Sequence, residues 1–250
     1  MRGRHDTAGC FPTGRHYPGI AERIAQAIDR VEGLCEAFDA AAPWRTLPFA
    51  VLDFETTGRD PQLDRVVEIG IVCFSDGVRT ERYEQLINPG REIPEEAKNV
   101  HGISNEDVRG APRFGDVVGR VFELLQGHLP VAYNAAFDRG FLLAECQRNR
   151  DTSRDTEPPP ALIEDVVWID PLVWAREILK GQRSRKLAAV AKYFGVDLSQ
   201  AHRAAGDAQA TGEVLLAMAD QMPSSYGELI RLQRSYAARQ EHAMSFWRRG

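Results

Sequence analysis

The sequence predicts a mixed α/β domain from about Phe49 to Met222, and three observations carry that prediction. Phe49 opens FAVLDFE, a nearly unbroken apolar run of the kind seen in a strand covered on both faces. VVEIGIVCF and the YEQLI segment follow, separated by the turn residues SDGV, and read as a hairpin. Beyond them the short apolar runs LPVAY and VVWID alternate with segments of helical period, as in a sheet that carries helices on its faces.

Taken in order, residues Met1 to Gly19 are rich in Gly, Pro, Arg and His and are expected to form a mobile arm. Ile20, Ile24, Ile28, Val31, Cys35 and Phe38 then recur at steps of three and four, which predicts a helix with one apolar stripe, packed on the chain's own domain or, as the alternative, docked on a partner. Ala42-Pro43 ends it. After the hairpin, IPEEAKNVHG and SNEDVRG read as short helical turns, with Ser104 and Asp107 spaced as a capping box. FGDVVGRVFELLQGH is an amphipathic helix ending at Gly127, and AAFDRGFLLAECQRN is a helix after the LPVAY strand. RDTSRDTEPPP is polar and proline-rich, hence a surface loop. PLVWAREIL starts a helix with Pro171 near its first position, KLAAVAKYFGV is closed by Gly195, and AGDAQATGEVLLAMADQM is longer. The tail from Tyr226 to Trp247 is helical with arginines on its polar face. The expected organisation is an arm and helix over residues 1–48, one α/β domain over 49–222, and a helical tail over 223–250.

Bulk properties bound the partners. At 250 residues, 43% hydrophobic and 27% charged, the chain has the composition of an ordinary soluble globule. A net charge of −5 argues against a broad basic coat for nucleic acid. It leaves room for a basic groove beside an acidic metal site, where bound cations reverse the local sign. No stretch approaches the ~20 apolar residues of a membrane span, and the basic N-terminus lacks the apolar core of a secretory signal. Cys10, Cys35, Cys73 and Cys146 show no CxxC spacing, so neither a zinc knuckle nor a redox pair is indicated. They read as reduced thiols of a cytoplasmic protein, with Cys73 and Cys146 packed as small apolar groups.

Four carboxylates and one histidine sit where their segments call for apolar packing. Residues two apart on a strand share a face, so Asp53 and Glu55 in VLDFETTG point the same way, about 6–7 Å apart. Such a pair can bracket neighbouring metal ions, which lie roughly 3.5–4 Å apart in two-metal nucleases. Alone, it could as well solvate a strand edge or cap a turn. Asp138 in YNAAFD has Phe141 and Leu142 at i+3 and i+4, placing it on the inward stripe of a helix, where a carboxylate needs hydrogen bonds or a cation. Asp207 in HRAAGD repeats the anomaly, followed at helical steps by Thr211, Val214, Leu215 and Met218. His202 falls in the loop before that helix, either as exposed surface or swung over the site. Asn134 reads as an N-cap or as a polar contact at the site. In combination these residues meet the needs of metal-assisted phosphodiester cleavage. Cations neutralise the phosphate, lower the pKa of the attacking water and stabilise the leaving oxygen, and a neutral imidazole removes the water's proton.

At these residues the chain resembles the DEDDh exonucleases, the family that contains the proofreading subunits of bacterial replicative polymerases. LDFETTG, HGIS, NAAFD and HRAAGDA occur in the family's order, over about Phe49 to Met218. The resemblance implies a ribonuclease-H-like fold and 3′-to-5′ hydrolysis releasing nucleoside monophosphates, with two divalent ions, Mg²⁺ or Mn²⁺. It implies that Asp53 bridges both ions, that Glu55 and Asp207 share the catalytic one, and that Asp138 holds the second partly through water. His202 is then the general base, where a sister branch carries a tyrosine. The resemblance also implies that Thr56, Thr57 and His101 lie near the terminal nucleotide. Phe137 either wedges against a base or belongs to the core. Glu68 in VVEIG matches a family position and is expected to support the site rather than ligate. Tyr133 stands where many members have histidine, which leaves the metal set intact. The segments before Phe49 and after Met222 fall outside the match, and no convincing clamp-binding peptide stands near the C-terminus.

The expected substrate is therefore a DNA 3′ end, single-stranded or frayed, in proofreading or repair, with a DNA polymerase as a candidate partner. An RNA-trimming exonuclease is the alternative. ETTG and HGIS favour the proofreading group over the short-oligoribonucleotide group, but sugar choice rests on contacts to the 2′-hydroxyl. A non-catalytic nucleic-acid-binding scaffold should have lost a carboxylate or the histidine, and all five are present.

Overall fold

β1 (Phe49–Thr56), β2 (Val66–Ser75) and β3 (Val78–Leu86) run as an antiparallel meander. β4 (Leu129–Val131) adds parallel to β1, so the order across the mixed sheet is β3-β2-β1-β4. The structure, a computed structural model, describes residues 31–149, 157–198 and 203–247. The β2–β3 hairpin closes over Asp76 and Gly77, at φ 51° and 71°, the left-handed pair that a two-residue loop demands. β3 starts at Val78, ahead of the expected YEQLI run. Arg79, Glu81, Arg82 and Glu84 make it a polar edge strand, which masks the apolar signal and discourages edge-to-edge pairing.

Around the sheet lie α1 (Glu95–His101), α2 (Phe114–Leu125), α3 (Ala135–Arg148), α4 (Pro171–Ile178), α5 (Leu187–Phe194), α6 (Ala204–Met218) and α7 (Tyr226–Trp247). Strand parity decides which helix covers which face. Ala50, Leu52 and Phe54 of β1 share one buried cluster with Ile69, Ile71 and Cys73 of β2 and with Val118, Val121 and Phe122 of α2 and Phe141 and Leu142 of α3. The alternate residues of β1, Asp53 and Glu55 among them, therefore face the other way. On that side α6 crosses β1 and β2. It lies close because β2 has glycine there: a Cβ on Gly70 would come 2.1 Å from the Ala204 carbonyl carbon.

Two expectations need correction. The VVWID segment contributes only a single parallel bridge, Val131 to Ile169, because Asp170 already caps α4 and Pro171 has no N–H to continue a ladder. SNEDVRG forms short turns, as its sequence suggests, and Ser104 and Asp107 exchange reciprocal bonds, Ser104 N–H to Asp107 Oδ2 at 2.8 Å and Asp107 N–H to Ser104 Oγ at 3.3 Å. The helix expected through Cys35 and Phe38 is absent from residues 32–42, which run as turns. They pack against α7 instead: Cys35 is buried and its N–H donates to the Tyr226 hydroxyl at 2.9 Å, and the half-buried Phe38 meets the same ring edge-on. The arm and the upstream part of that helix lie outside the described residues.

The segments flanking the sheet meet each other. Trp44 is fully buried and donates its indole N–H to the Pro223 carbonyl at 2.8 Å. Tyr226, Leu229 and Ile230 of α7 are fully buried too. Cys35, Cys73 and Cys146 are free thiols, and burial pushes Cys73 up to about 11 and Cys146 up to about 12, as expected of packing groups. Among the described residues no helix is long and apolar enough to cross a membrane.

Candidate active site

Asp53 and Glu55 sit on the α6 face of β1, next to a register shift at Glu55/Thr56 that bends the strand end. α6 brings Asp207 to them across the gap left by Gly70, the cross-strand partner of Asp53. One carboxylate oxygen from each of Asp53, Glu55 and Asp207 lies within 4.8 Å of the other two, and all three residues are half-buried.

Asp138 approaches from the β4 side. Its carboxylate is 3% exposed, and Oδ1 accepts the Phe54 N–H at 3.1 Å, which ties α3 to the strand between the two β1 carboxylates. It stands outside the tight trio but close enough to act on Asp53. The inward helical stripe read from Phe141 and Leu142 is real, since both are fully buried.

The electrostatics follow from this crowding. Burial first, then Asp138, Glu55, Asp207 and Glu68, hold the Asp53 carboxyl well above its ordinary range. Glu55 is pushed up to about 8 by burial, Asp207 and Glu68, against the opposing pull of Arg203. Burial also raises Asp138, partly offset by the Phe54 N–H and its own N–H. An all-oxygen donor set with this much mutual repulsion fits hard divalent cations, whose charge would return every one of these groups to the ionised form.

Two supports are only half visible in the sequence. Glu68, Cα partner of Glu55, is fully buried and accepts from Arg203 Nε at 2.9 Å, Arg203 Nη2 at 2.6 Å and the Ala204 N–H at 2.9 Å. It thereby anchors the first turn of the helix that carries Asp207, the supporting role expected of it. Asp170 is the second, and sequence reasoning misses its role. Its carboxylate caps α4 at Leu172 N–H (2.9 Å) and also accepts the Asn134 N–H (3.0 Å) and Ala135 N–H (3.1 Å) at the start of α3. The Asp-Pro pair in VVWIDPL signals the first cap but not the second, which is a long-range contact.

The remaining expected residues divide. Asn134 occupies the N-cap position of α3 in a left-handed conformation, but its exposed side chain makes no capping bond, because Asp170 serves instead. Phe137 is half-buried and packs on Phe141 with ring centroids 4.9 Å apart. Thr56 Oγ1 donates to the Gly58 carbonyl, and Thr57 Oγ1 accepts the Arg65 N–H at 3.0 Å and contacts Asp64, so both hydroxyls also close the turn after β1. His101 is 6% exposed; Nδ1 accepts the Ile103 N–H at 3.0 Å, and the buried Nε2 has no hydrogen-bond partner among the described residues. Burial lowers its pKa, and the Thr56 backbone and Glu68 pull the other way, which places the ring beside the strand end. His202 lies outside the described residues.

A meander extended by a parallel strand, with acidic residues converging at the end of its first strand, defines a ribonuclease-H-like nuclease domain. The chain belongs to the exonuclease family, whose model matches residues 50–215, more than half of its length. It is similar to the DNA polymerase III PolC-type of Thermotoga petrophila, 33% identical over 198 residues, a match covering 79% of this chain and 14% of that relative. It is similar as well to the 3′-5′ exonuclease DinG of Bacillus subtilis, 32% identical over 175 residues, covering 70% and 18%. The chain thus spans less than a fifth of either relative. Its fold is similar to the nuclease domain of 3′hExo, a DEDDh family member bound to rAMP, with a TM-score of 0.57 at 19% identity, covering 70% of this chain and 92% of that one.

Proposed function

We propose that the chain is a metal-dependent 3′-to-5′ exonuclease that releases nucleoside monophosphates from DNA 3′ ends, single-stranded or frayed. The convergence of Asp53, Glu55 and Asp207 within 4.8 Å carries the reading. In it, Asp53, Glu55, Asp207 and Asp138 hold two divalent ions, Mg²⁺ or Mn²⁺. Such ions, when bound, neutralise the phosphate and make water a competent nucleophile near neutral pH. Thr56, Thr57, His101, Asn134 and Phe137 line the terminal nucleotide, and His202 takes the proton from the attacking water. His101, buried beside the Thr56 backbone, brings a polar ring to the end of β1. Its lowered pKa keeps the ring neutral and able to hydrogen-bond without adding charge.

The polymerase III relative supports DNA as substrate and replication or repair as setting, and it supports association with a DNA polymerase. RNA is the second reading, favoured by the rAMP bound to the structurally similar 3′hExo domain. The deciding experiment is a metal-dependence assay on matched 5′-labelled DNA and RNA strands. A ladder of products shortened from the 3′ end, abolished by chelation and faster on DNA, is the expected result. Equal or faster RNA trimming transfers the proposal to RNA, and no metal-dependent hydrolysis of either strand overturns it.

A further inference from the structure

A concave site lies away from the carboxylates. A cavity of about 420 Å³ opens between the start of β2, the β3–α1 connection, the start of α2 and the last turns of α3, with Arg65, Arg113, Arg148, Glu145, Phe114 and Ile87 on its walls. Glu145 follows Asp138 on α3 by seven positions, roughly 10 Å along the helix axis. Three guanidinium groups against one carboxylate give the cavity a positive excess, in a chain whose net charge is −5.

How these arginines are held decides what they can do. Arg148 donates to Glu145 Oε1 at 3.1 Å and to the carbonyls of Pro61 and Gln62. Glu145 also accepts the Val66 N–H, so the one carboxylate in the cavity is occupied. Arg65 donates to the carbonyls of Leu63 and Asp64, which orient its guanidinium without cancelling its charge. The Arg113 side chain has no carboxylate within ion-pair distance among the described residues. It lies over Gly90, where a Cβ would come 1.7 Å from Nη1, so the glycine leaves the space that the guanidinium fills.

We propose that this cavity binds a phosphate group, with Arg113 and Arg65 donating charge-assisted bonds to its oxygens. Planar guanidinium forks match phosphate oxygens, and a cavity of about 420 Å³ has room for a phosphate group. Arg65 links the cavity to the catalytic end of the sheet. Its N–H donates to Thr57 Oγ1 at 3.0 Å and its carbonyl accepts the Thr57 N–H at 2.9 Å. The phosphate comes either from a nucleic-acid strand, a case that rests on the exonuclease reading, or from a free mononucleotide, a case that does not.

The test uses the full chain in chelator, so that nothing is hydrolysed, and compares wild type with Arg113→Gln and Arg65→Gln after circular dichroism has shown each to be folded. Calorimetry with dAMP reads the small-anion arm. Fluorescence anisotropy with a single-stranded oligodeoxynucleotide across a salt series reads the strand arm. Either variant should weaken the responding probe by about tenfold. In the strand case, log K against log salt should also become shallower by about 0.7 for each phosphate no longer neutralised. If both probes bind both variants as tightly as wild type, the phosphate site is overturned. If Arg113-dependent dAMP binding persists in a protein that hydrolyses no strand in Mg²⁺, the cavity stands and the exonuclease reading falls.

Discussion

The carboxylate of Asp138 accepts the backbone N–H of Phe54 at 3.1 Å, so a helix residue is tied to the strand at the point between Asp53 and Glu55. One oxygen is spent on position, and the negative charge remains for the site. Asp138→Asn separates these roles, since the amide oxygen can still accept from Phe54. We expect turnover to fall by about a hundredfold or more, with thermal stability equal to or above wild type because a buried repulsion with Asp53 is removed. Steady-state hydrolysis beside a melting curve checks this, and near wild-type turnover would contradict it.

Gly70→Ala addresses how Asp207 is placed. The added methyl would come 2.1 Å from the Ala204 backbone, and neither a strand nor a helix start can yield locally. α6 must move away from the sheet, at a cost of about 3 kcal/mol. Denaturant unfolding should show that loss. Mn²⁺ affinity of the folded fraction should fall with it, since Asp207 rides on α6.

Asp170→Ala removes the acceptor for three backbone N–H groups, two of which begin the helix carrying Asp138. The expected loss is about 2–3 kcal/mol of stability and roughly ten- to a hundredfold in metal affinity. Calorimetric Mn²⁺ titration of Asp170→Ala against Asp170→Asn separates the two effects. The amide should keep part of the stability, and equal metal affinity in all three proteins would remove Asp170 from the support of the site.

How far the sequence reveals these relations depends on distance along the chain. The inward stripe of Asp138, Phe141 and Leu142 is visible because helical period is local, and the shared face of Asp53 and Glu55 is visible because strand alternation is local. The Asp170 contact to Asn134 and Ala135 spans more than thirty residues and leaves no periodic trace. For the same reason Asn134, well suited by residue type to cap a helix, invites an assignment that Asp170 fulfils. Cys35 and Phe38 mislead differently: their helical spacing is satisfied by packing against Tyr226 in a turn, and periodicity cannot distinguish the two. β3 reads short in the sequence because its early residues are charged, the mark of an edge rather than of a loop.

The raised pKa of Glu55 predicts a stability effect of known sign. Its folded-state value of about 8 lies above the ordinary 4.5, with burial the first cause and Asp207 and Glu68 next. The folded protein therefore holds a proton that the unfolded chain releases. The corresponding stability is complete below about pH 4.5 and is lost as pH rises through about 8. In chelator, Glu55→Gln should gain on wild type in melting temperature across that window, and excess Mg²⁺ should narrow or reverse the gap at the alkaline end. A gap independent of pH would contradict the assignment.

The central claim is that carboxylates from one strand and two helices are brought together to hold divalent cations. Anomalous diffraction at the manganese edge, on crystals grown with Mn²⁺ and a non-hydrolysable oligonucleotide, tests it most directly. The account predicts two anomalous peaks, both against Asp53, one shared with Glu55 and Asp207 and the other on the Asp138 side. Peaks elsewhere on the molecule, with none between Asp53 and Asp207, would contradict it.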